Sequence, residues 1–230
     1  MNLSEFQEKI DVSFKNEELL KEALTHRSYL NENPSWGISH NERLEFLGDA
    51  VLEMIITEKL FASYPDKDEG YLTSVRAALV NYIFLSEAGK GINLGDFLSM
   101  SKGESKDIGK ARDVILANAF EALIGAIYLD SGYETSARFI EKYVFSKASE
   151  VIEKGSYRDA KSFFQEIAQE KYKITPNYQV LEESGPDHKK IFKVGVFIGE
   201  EELAQGEGFS KQEAEVEAAK KALSYVSKAS

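Results

Sequence analysis

From about Leu3 to Val151 apolar residues recur at three- and four-residue spacing, whereas from about Asn177 they alternate with polar neighbours. A 3.6-residue period buries one face of a helix and a two-residue period one face of a strand, so a chain that changes period holds two kinds of core. The change predicts an all-α first domain over residues 1–150 and a second domain over 157–226. Residues 151–156, where Gly155 and Ser156 interrupt the helical pattern, read as the linker. In the second domain RDAKSFFQEIAQEKYK reads as an amphipathic helix. Asn177 to Leu181 and Ile191 to Ile198 read as strands, the latter with Phe192, Val194, Val196 and Ile198 on one face. A third short strand near Leu203 precedes GEGFSKQEAEVEAAKKALSYV, a helix with Ser210 as its N-cap. The expected fold is therefore multi-domain, all-α first and then a small α+β domain of α-β-β-β-α order. With 230 residues and 43% apolar side chains there is material for one large core and one small one.

Composition narrows the chemistry. There are no cysteines, which excludes disulfides and thiolate chemistry, and only three histidines, so a metal site here must rest mainly on oxygen ligands. No apolar run approaches the roughly 20 residues that span a bilayer, and the start MNLSEFQEKI lacks the basic and apolar regions of a signal peptide, so a cytoplasmic location is expected. A net charge of −11 argues by itself against a polyanionic partner. Its distribution changes that reading, because from Ser156 onward 11 basic residues face 13 acidic ones, while the preceding part holds 17 basic and 26 acidic.

The acid is concentrated where the helices are longest. NERLEFLGDAVLEMIITEKLF, beginning at Asn41 and ending before Pro65, places Glu42, Glu45 and Asp49 at i, i+3 and i+7. On a helix these three fall within an arc of roughly 60°, on the edge of the apolar stripe. A second helix, ARDVILANAFEALIGAIYLD, with Gly132 as its stop, carries the lone acid Glu121 and, one turn earlier, Asn118. The plain alternative is a solvated acidic stripe. Against it, a lone acid on an apolar, central helix needs a partner, and two such helices can bring oxygen ligands around a hard cation, with magnesium the expected occupant.

These segments carry a resemblance. NERLEFLGDA at 41 to 50 resembles the signature of the ribonuclease III family, and ARDVILANAFEALIGAIYLDSG its second acidic helix. THRSYLNE at 25 to 32 and DEGYLTSVRAALV at 68 to 80 are also similar to family segments. The resemblance implies an all-α endonuclease domain that hydrolyses double-stranded RNA with metal assistance, as a homodimer in which each subunit cuts one strand. The expected ends are a 5′-phosphate and a 3′-hydroxyl with a short 3′ overhang, and the expected substrates are rRNA, mRNA and tRNA precursors. It implies Mg2+, with Mn2+ as a substitute. Glu45 and Glu121 match metal-binding carboxylates, Asp49 the acid that is catalytic together with Glu121, Glu42 and Glu69 acidic positions that line the cleft and position substrate, and Phe46 a residue that packs into the partner subunit. Asn118 stands at a metal-binding position where the family more often has aspartate.

DAKSFFQE, TPNYQVLEESGPDHKKIFKV and GEGFSKQEAEVEAA are similar, in that order, to the double-stranded RNA-binding domain. That resemblance implies minor-groove contacts by Gln165 and His188 and phosphate contacts by Ser210 and Lys211 at a helix N-terminus. The usual second lysine there is Gln212. His26 and His40, near helix ends, read as structural hydrogen-bonders, and Trp36 as packing on its own domain. Two alternatives stay open. One is a catalytically weak double-stranded RNA-binding protein, on account of Asn118. The other is an all-α nucleoside triphosphate pyrophosphohydrolase, which would have no use for the second domain.

Overall fold

The structure is a computed structural model that describes residues 2–106, 108–155, 157, 159–186 and 190–228. It divides into two compact units, Met1–Tyr157 and Arg158–Ser230.

The first unit is helical: α1 (Leu3–Ile10), α2 (Glu17–Ala23), α3 (Arg27–Glu32), α4 (Glu42–Ser63), α5 (Glu69–Val80), α6 (Tyr82–Gly91), α7 (Leu94–Phe97), α8 (Lys110–Tyr143) and α9 (Ala148–Glu153). Many of the starts are written locally. Asn2, Asn16, His26, Asp68 and Asn81 each accept a hydrogen bond from a backbone N–H of the first turn of the helix they precede, satisfying a donor that has no partner within the helix. The start of α4 is held differently. Asn41 is buried, its N–H donates to the Thr25 carbonyl at 2.9 Å, and its side-chain amide donates to the Ala23 carbonyl at 3.3 Å, so the helix is tied to the end of α2 rather than capped by a side chain.

The core gathers around α8, whose residues Ile115, Leu116, Ala117, Ala119, Phe120 and Ala122 through Ile127 are all buried. By length and composition alone the stretch Lys110–Glu153 would suffice to cross a bilayer, but most of its apolar surface is buried within the protein. Here the apolar face is covered by other helices, α4 above all. Gly132 interrupts α8 as expected, with φ 76° and ψ −173°, after which the helix resumes. The first three residues of the expected linker at 151–156 are helical. Helix α9 runs through Glu153, Val151 belongs to the helical core, and Tyr157 packs edge-on against Tyr71 at 5.1 Å between ring centres, so the first unit extends beyond the break in periodicity.

The second unit follows the predicted order: α10 (Ala160–Tyr172), β1 (Asn177–Ser184), β2 (Ile191–Ile198), β3 (Glu201–Gly208) and α11 (Lys211–Lys228). The strands form an antiparallel sheet in the order β1-β2-β3. Its core joins Phe164 and Ala168 of α10, Val196 and Ile198 of β2, and Ala218, Ala219 and Ala222 of α11. Alanines on α11 and Gly206 on β3 let helix and strand approach backbone to backbone, since a Cβ on Gly206 would lie 2.2 Å from the Ala214 carbonyl oxygen.

Candidate active site

The site is made by a helix crossing. Gly48 on α4 and Gly125 on α8 meet with no side chain between them. A Cβ on Gly48 would sit 1.8 Å from the Glu121 carbonyl oxygen, and one on Gly125 would sit 2.2 Å from that of Leu44. Side chains ordinarily hold packed helices about 8–10 Å apart, and removing them here brings the carboxylates that flank each glycine into one another's field. Glu45 and Asp49 bracket Gly48 on α4, while Glu121 lies one turn before Gly125 on α8.

The electrostatics record that proximity. Burial pushes the Glu121 carboxyl up to about 8, with Asp49, Glu45 and Glu53 adding repulsion. Glu45 is raised too, first by burial and then by Glu42 and Asp49, while a hydrogen bond from the Asn118 side chain pulls the other way. Among the described residues no ion pair is made by Glu45, Asp49, Glu53 or Glu121. Glu42 and Glu45 lie in the first turn of α4, where the positive end of the helix dipole favours negative charge. Glu42, at the exposed rim, is held by Arg27 at 3.4 Å and faces His40 Nδ1 at 3.8 Å.

Half-buried carboxylates that repel one another and lack a compensating side chain are what an oxygen-ligated cation relieves. No group of three His, Asp or Glu side chains among the described residues is close enough to hold a metal by itself. The donor set that fits is two carboxylates and an amide oxygen: Glu45, Glu121 and Asn118.

Other predicted residues lie elsewhere. Glu69 is not in this cluster. It lies in the first turn of α5, accepts a hydrogen bond from Thr73 at 3.2 Å, and lines a separate cleft with Thr57, Phe61 and Arg76, because α5 packs against the C-terminal half of α4. Phe46 is 82% exposed on the outer face of α4. Trp36 donates to Thr25 at 3.3 Å and meets Tyr29 edge-on, and His26 caps α3, its imidazole held below the ordinary value mainly by burial. A larger apolar cleft of about 550 Å3, lined by Ile83, Phe84, Tyr143 and Val151, contains none of the predicted site residues.

In the second unit Gln165 is exposed on α10, in a shallow groove with Ser162 and Gln169. Ser210 accepts from the Glu213 N–H at 3.1 Å, as expected of an N-cap, and Lys211 begins α11. His188 lies outside the described residues.

Two family profiles match this chain, one described as Ribonuclease-III-like over residues 16–148 and one described as Double-stranded RNA binding motif over residues 160–226. The curated protein named Ribonuclease 3 of Borreliella burgdorferi is 44% identical over 221 residues, 96% of this chain and 90% of that relative. The Ribonuclease 3 of Carboxydothermus hydrogenoformans is 46% identical over 222 residues, 96% and 94% of the two chains. This chain belongs to the ribonuclease III family. A solved nuclease domain of ribonuclease III from Campylobacter jejuni is 38% identical, with a TM-score of 0.57 over 64% of this chain and 95% of that one. A second structure of that nuclease domain, 41% identical with a TM-score of 0.55, covers 62% of this chain and 98% of its own, and is described as flexible in a region involved in dimer formation.

As a ribonuclease III the chain is an endoribonuclease, and its second unit is a double-stranded RNA-binding domain. Three parts of this candidate site were not singled out from sequence. Gly48 and Gly125 carried a usable signal, since glycine inside a helix costs about 1 kcal/mol relative to alanine and asks for a reason. Glu53, one turn beyond Asp49, continues the same acidic arc. Arg27, which holds Glu42 from 15 residues away, carried no local signal.

Proposed function

We propose that this protein cleaves double-stranded RNA as a homodimer, each subunit hydrolysing one strand to leave 5′-phosphate and 3′-hydroxyl ends with a short 3′ overhang. The observation that carries the reading is the crossing at Gly48 and Gly125, which sets Glu45, Asp49 and Glu121 against one another with no ion pair to a cationic side chain among the described residues. Glu45, Glu121 and the Asn118 amide oxygen hold Mg2+, or Mn2+ in its place. Bound there, the ion supplies a water of lowered pKa and neutralises charge at the scissile phosphate. Asp49, exposed beside Glu121, orients the attacking water. In the net reaction water adds to phosphorus, the 3′ oxygen leaves, and that oxygen takes up a proton. Glu42, fixed by Arg27, keeps the rim of the cleft in place for the substrate backbone. Glu69 meets substrate from its own cleft.

The dimer reading is supported by α4, whose outward face carries Phe46, Met54 and Phe61 at 82%, 48% and 74% exposure beside the acidic arc. Large apolar side chains in one stripe mark a surface that another chain covers. Gln165, Ser210, Lys211 and His188 contact the duplex, and rRNA, mRNA and tRNA precursors in the cytoplasm are the substrates. A second reading, RNA binding with little cleavage, is favoured by one observation: Asn118 brings no charge to the metal position.

The experiment is cleavage of an end-labelled RNA duplex with magnesium titrated, for wild type, Glu121→Ala and Asn118→Asp. Duplex-specific cutting that falls about a hundredfold or more in Glu121→Ala supports the nuclease reading. A shift to lower magnesium in Asn118→Asp supports the assignment of Asn118. Retention of duplex without cutting at every magnesium concentration would leave the second reading.

A further inference from the structure

The RNA-binding domain carries, at its own basic edge, a carboxylate that occupies the lysines. Glu183 lies near the end of β1, opposite Phe192 of β2. One of its oxygens is 2.9 Å from the Lys190 ammonium and the other 3.5 Å from that of Lys211. Both ammonium groups also lie over the Phe192 ring, at 5.9 and 5.7 Å from its centre. A single acid therefore bridges two cations that come from different elements, the lead-in to β2 and the first residue of α11. All three side chains are partly open to solvent, at 36% for Glu183, 40% for Lys190 and 58% for Lys211, so a phosphate can reach the cations. Lys190 and Lys211 hold the Glu183 carboxyl below the usual carboxylate range, so it stays ionised at neutral pH. A further carboxylate, that of Glu213, accepts from the Phe209 N–H at 3.0 Å at the same helix start, and Gln212 supplies no charge there.

We propose that Glu183 is an internal competitor for the RNA backbone, which weakens the hold of this domain on duplex RNA and so restricts stable binding to duplexes that engage the nuclease domain as well. The inference rests on the reading that Lys211 faces phosphate. A phosphate arriving at α11 must take both lysines from Glu183 and then sit beside an uncompensated negative charge. Fewer cations are thus left to exchange counterions with RNA, and both affinity and its salt dependence fall. When one of two linked contacts is weak, the short duplex that can make only that contact is released and the longer one is kept.

The test is fluorescence anisotropy of the full chain with a blunt RNA duplex of about 16 base pairs, the span of one such domain, in EDTA so that nothing is cut. Glu183→Gln and Glu183→Ala are expected to bind about three- to tenfold tighter at low salt, with log K against log salt steeper by about one. Glu200→Gln, which removes the same charge from the exposed β2–β3 turn, is expected to change neither. The gain is expected to vanish in Glu183→Gln carrying Lys190→Gln and Lys211→Gln. Unchanged or weaker binding by both Glu183 variants overturns the proposal, as does an equal gain in Glu200→Gln. Failure of wild type and every variant to bind duplex at any salt would instead overturn the RNA-binding reading beneath it.

Discussion

At the scale of single residues the site is an arrangement held against its own charge. Glu121 is pushed up to about 8 by burial and by Asp49, Glu45 and Glu53, well above its ordinary 4.5. A carboxyl raised in the folded state contributes stability that is fully present below its unfolded value and is lost as pH rises through the folded one. Without divalent cation, the protein should lose stability between pH 4.5 and about 8. Glu121→Gln removes that loss, so in EDTA at about pH 7.5 its Tm should lie above wild type by about 2–5 °C while its cleavage is abolished. Equal melting of the two proteins across that window would refute the account. Asn118→Asp should move the other way, lowering Tm in EDTA and recovering it on addition of magnesium, because it adds a charge that only a cation offsets.

At the scale of elements the site depends on how closely two helices approach. Gly48→Ala places a methyl group in the backbone of α8, and Gly125→Ala places one in the backbone of α4. Neither obstacle is a side chain that can turn aside, so each substitution should cost about 3 kcal/mol or more by urea denaturation and separate the carboxylates. Gly132 supplies the contrast. Its left-handed φ of 76° disfavours a side chain, yet nothing lies within 4 Å of a Cβ there. Gly132→Ala should therefore cost only about 1–2 kcal/mol of backbone strain and leave cleavage intact. If the two kinds of variant proved equally destabilising, the close approach would not be the controlling feature. The periodicity that foretold α4, α8 and the three strands says nothing of this distance, because it reports which face of an element is buried and not how near its neighbour comes.

At the scale of the whole molecule, Phe46 tests the assembly. Being 82% exposed, it contributes little to the fold of one chain, and Phe46→Asp should change unfolding of the subunit by no more than about 0.5 kcal/mol. In light scattering the variant should run as a monomer, with cleavage lost alongside. A variant that remained a dimer would show that α4 is not the contact. The division into two units was legible from the change of hydrophobic period, since helix and strand cores need different spacings. Packing decides where the helical unit ends, since Val151 and Tyr157 are drawn into it by contacts with residues distant in sequence.

What the sequence determined by itself was local or repetitive. The caps at Asn16, Asp68, Asn81 and Ser210 and the shared face of Glu42, Glu45 and Asp49 follow from neighbours within a turn or two of helix. The order of helices and strands follows from short-range spacing, and the family from motifs long enough to be recognised. What the tertiary structure alone decided were relations between residues far apart in the chain. Glu121 meets Asp49 and Glu45 because two glycines let α4 and α8 touch, Glu69 is kept apart from them because α5 packs at the other end of α4, and Glu183 takes Lys190 and Lys211 because strand register and a helix start bring them to one ring. Charge interactions act through space over a few ångströms, and only the packed chain sets those distances.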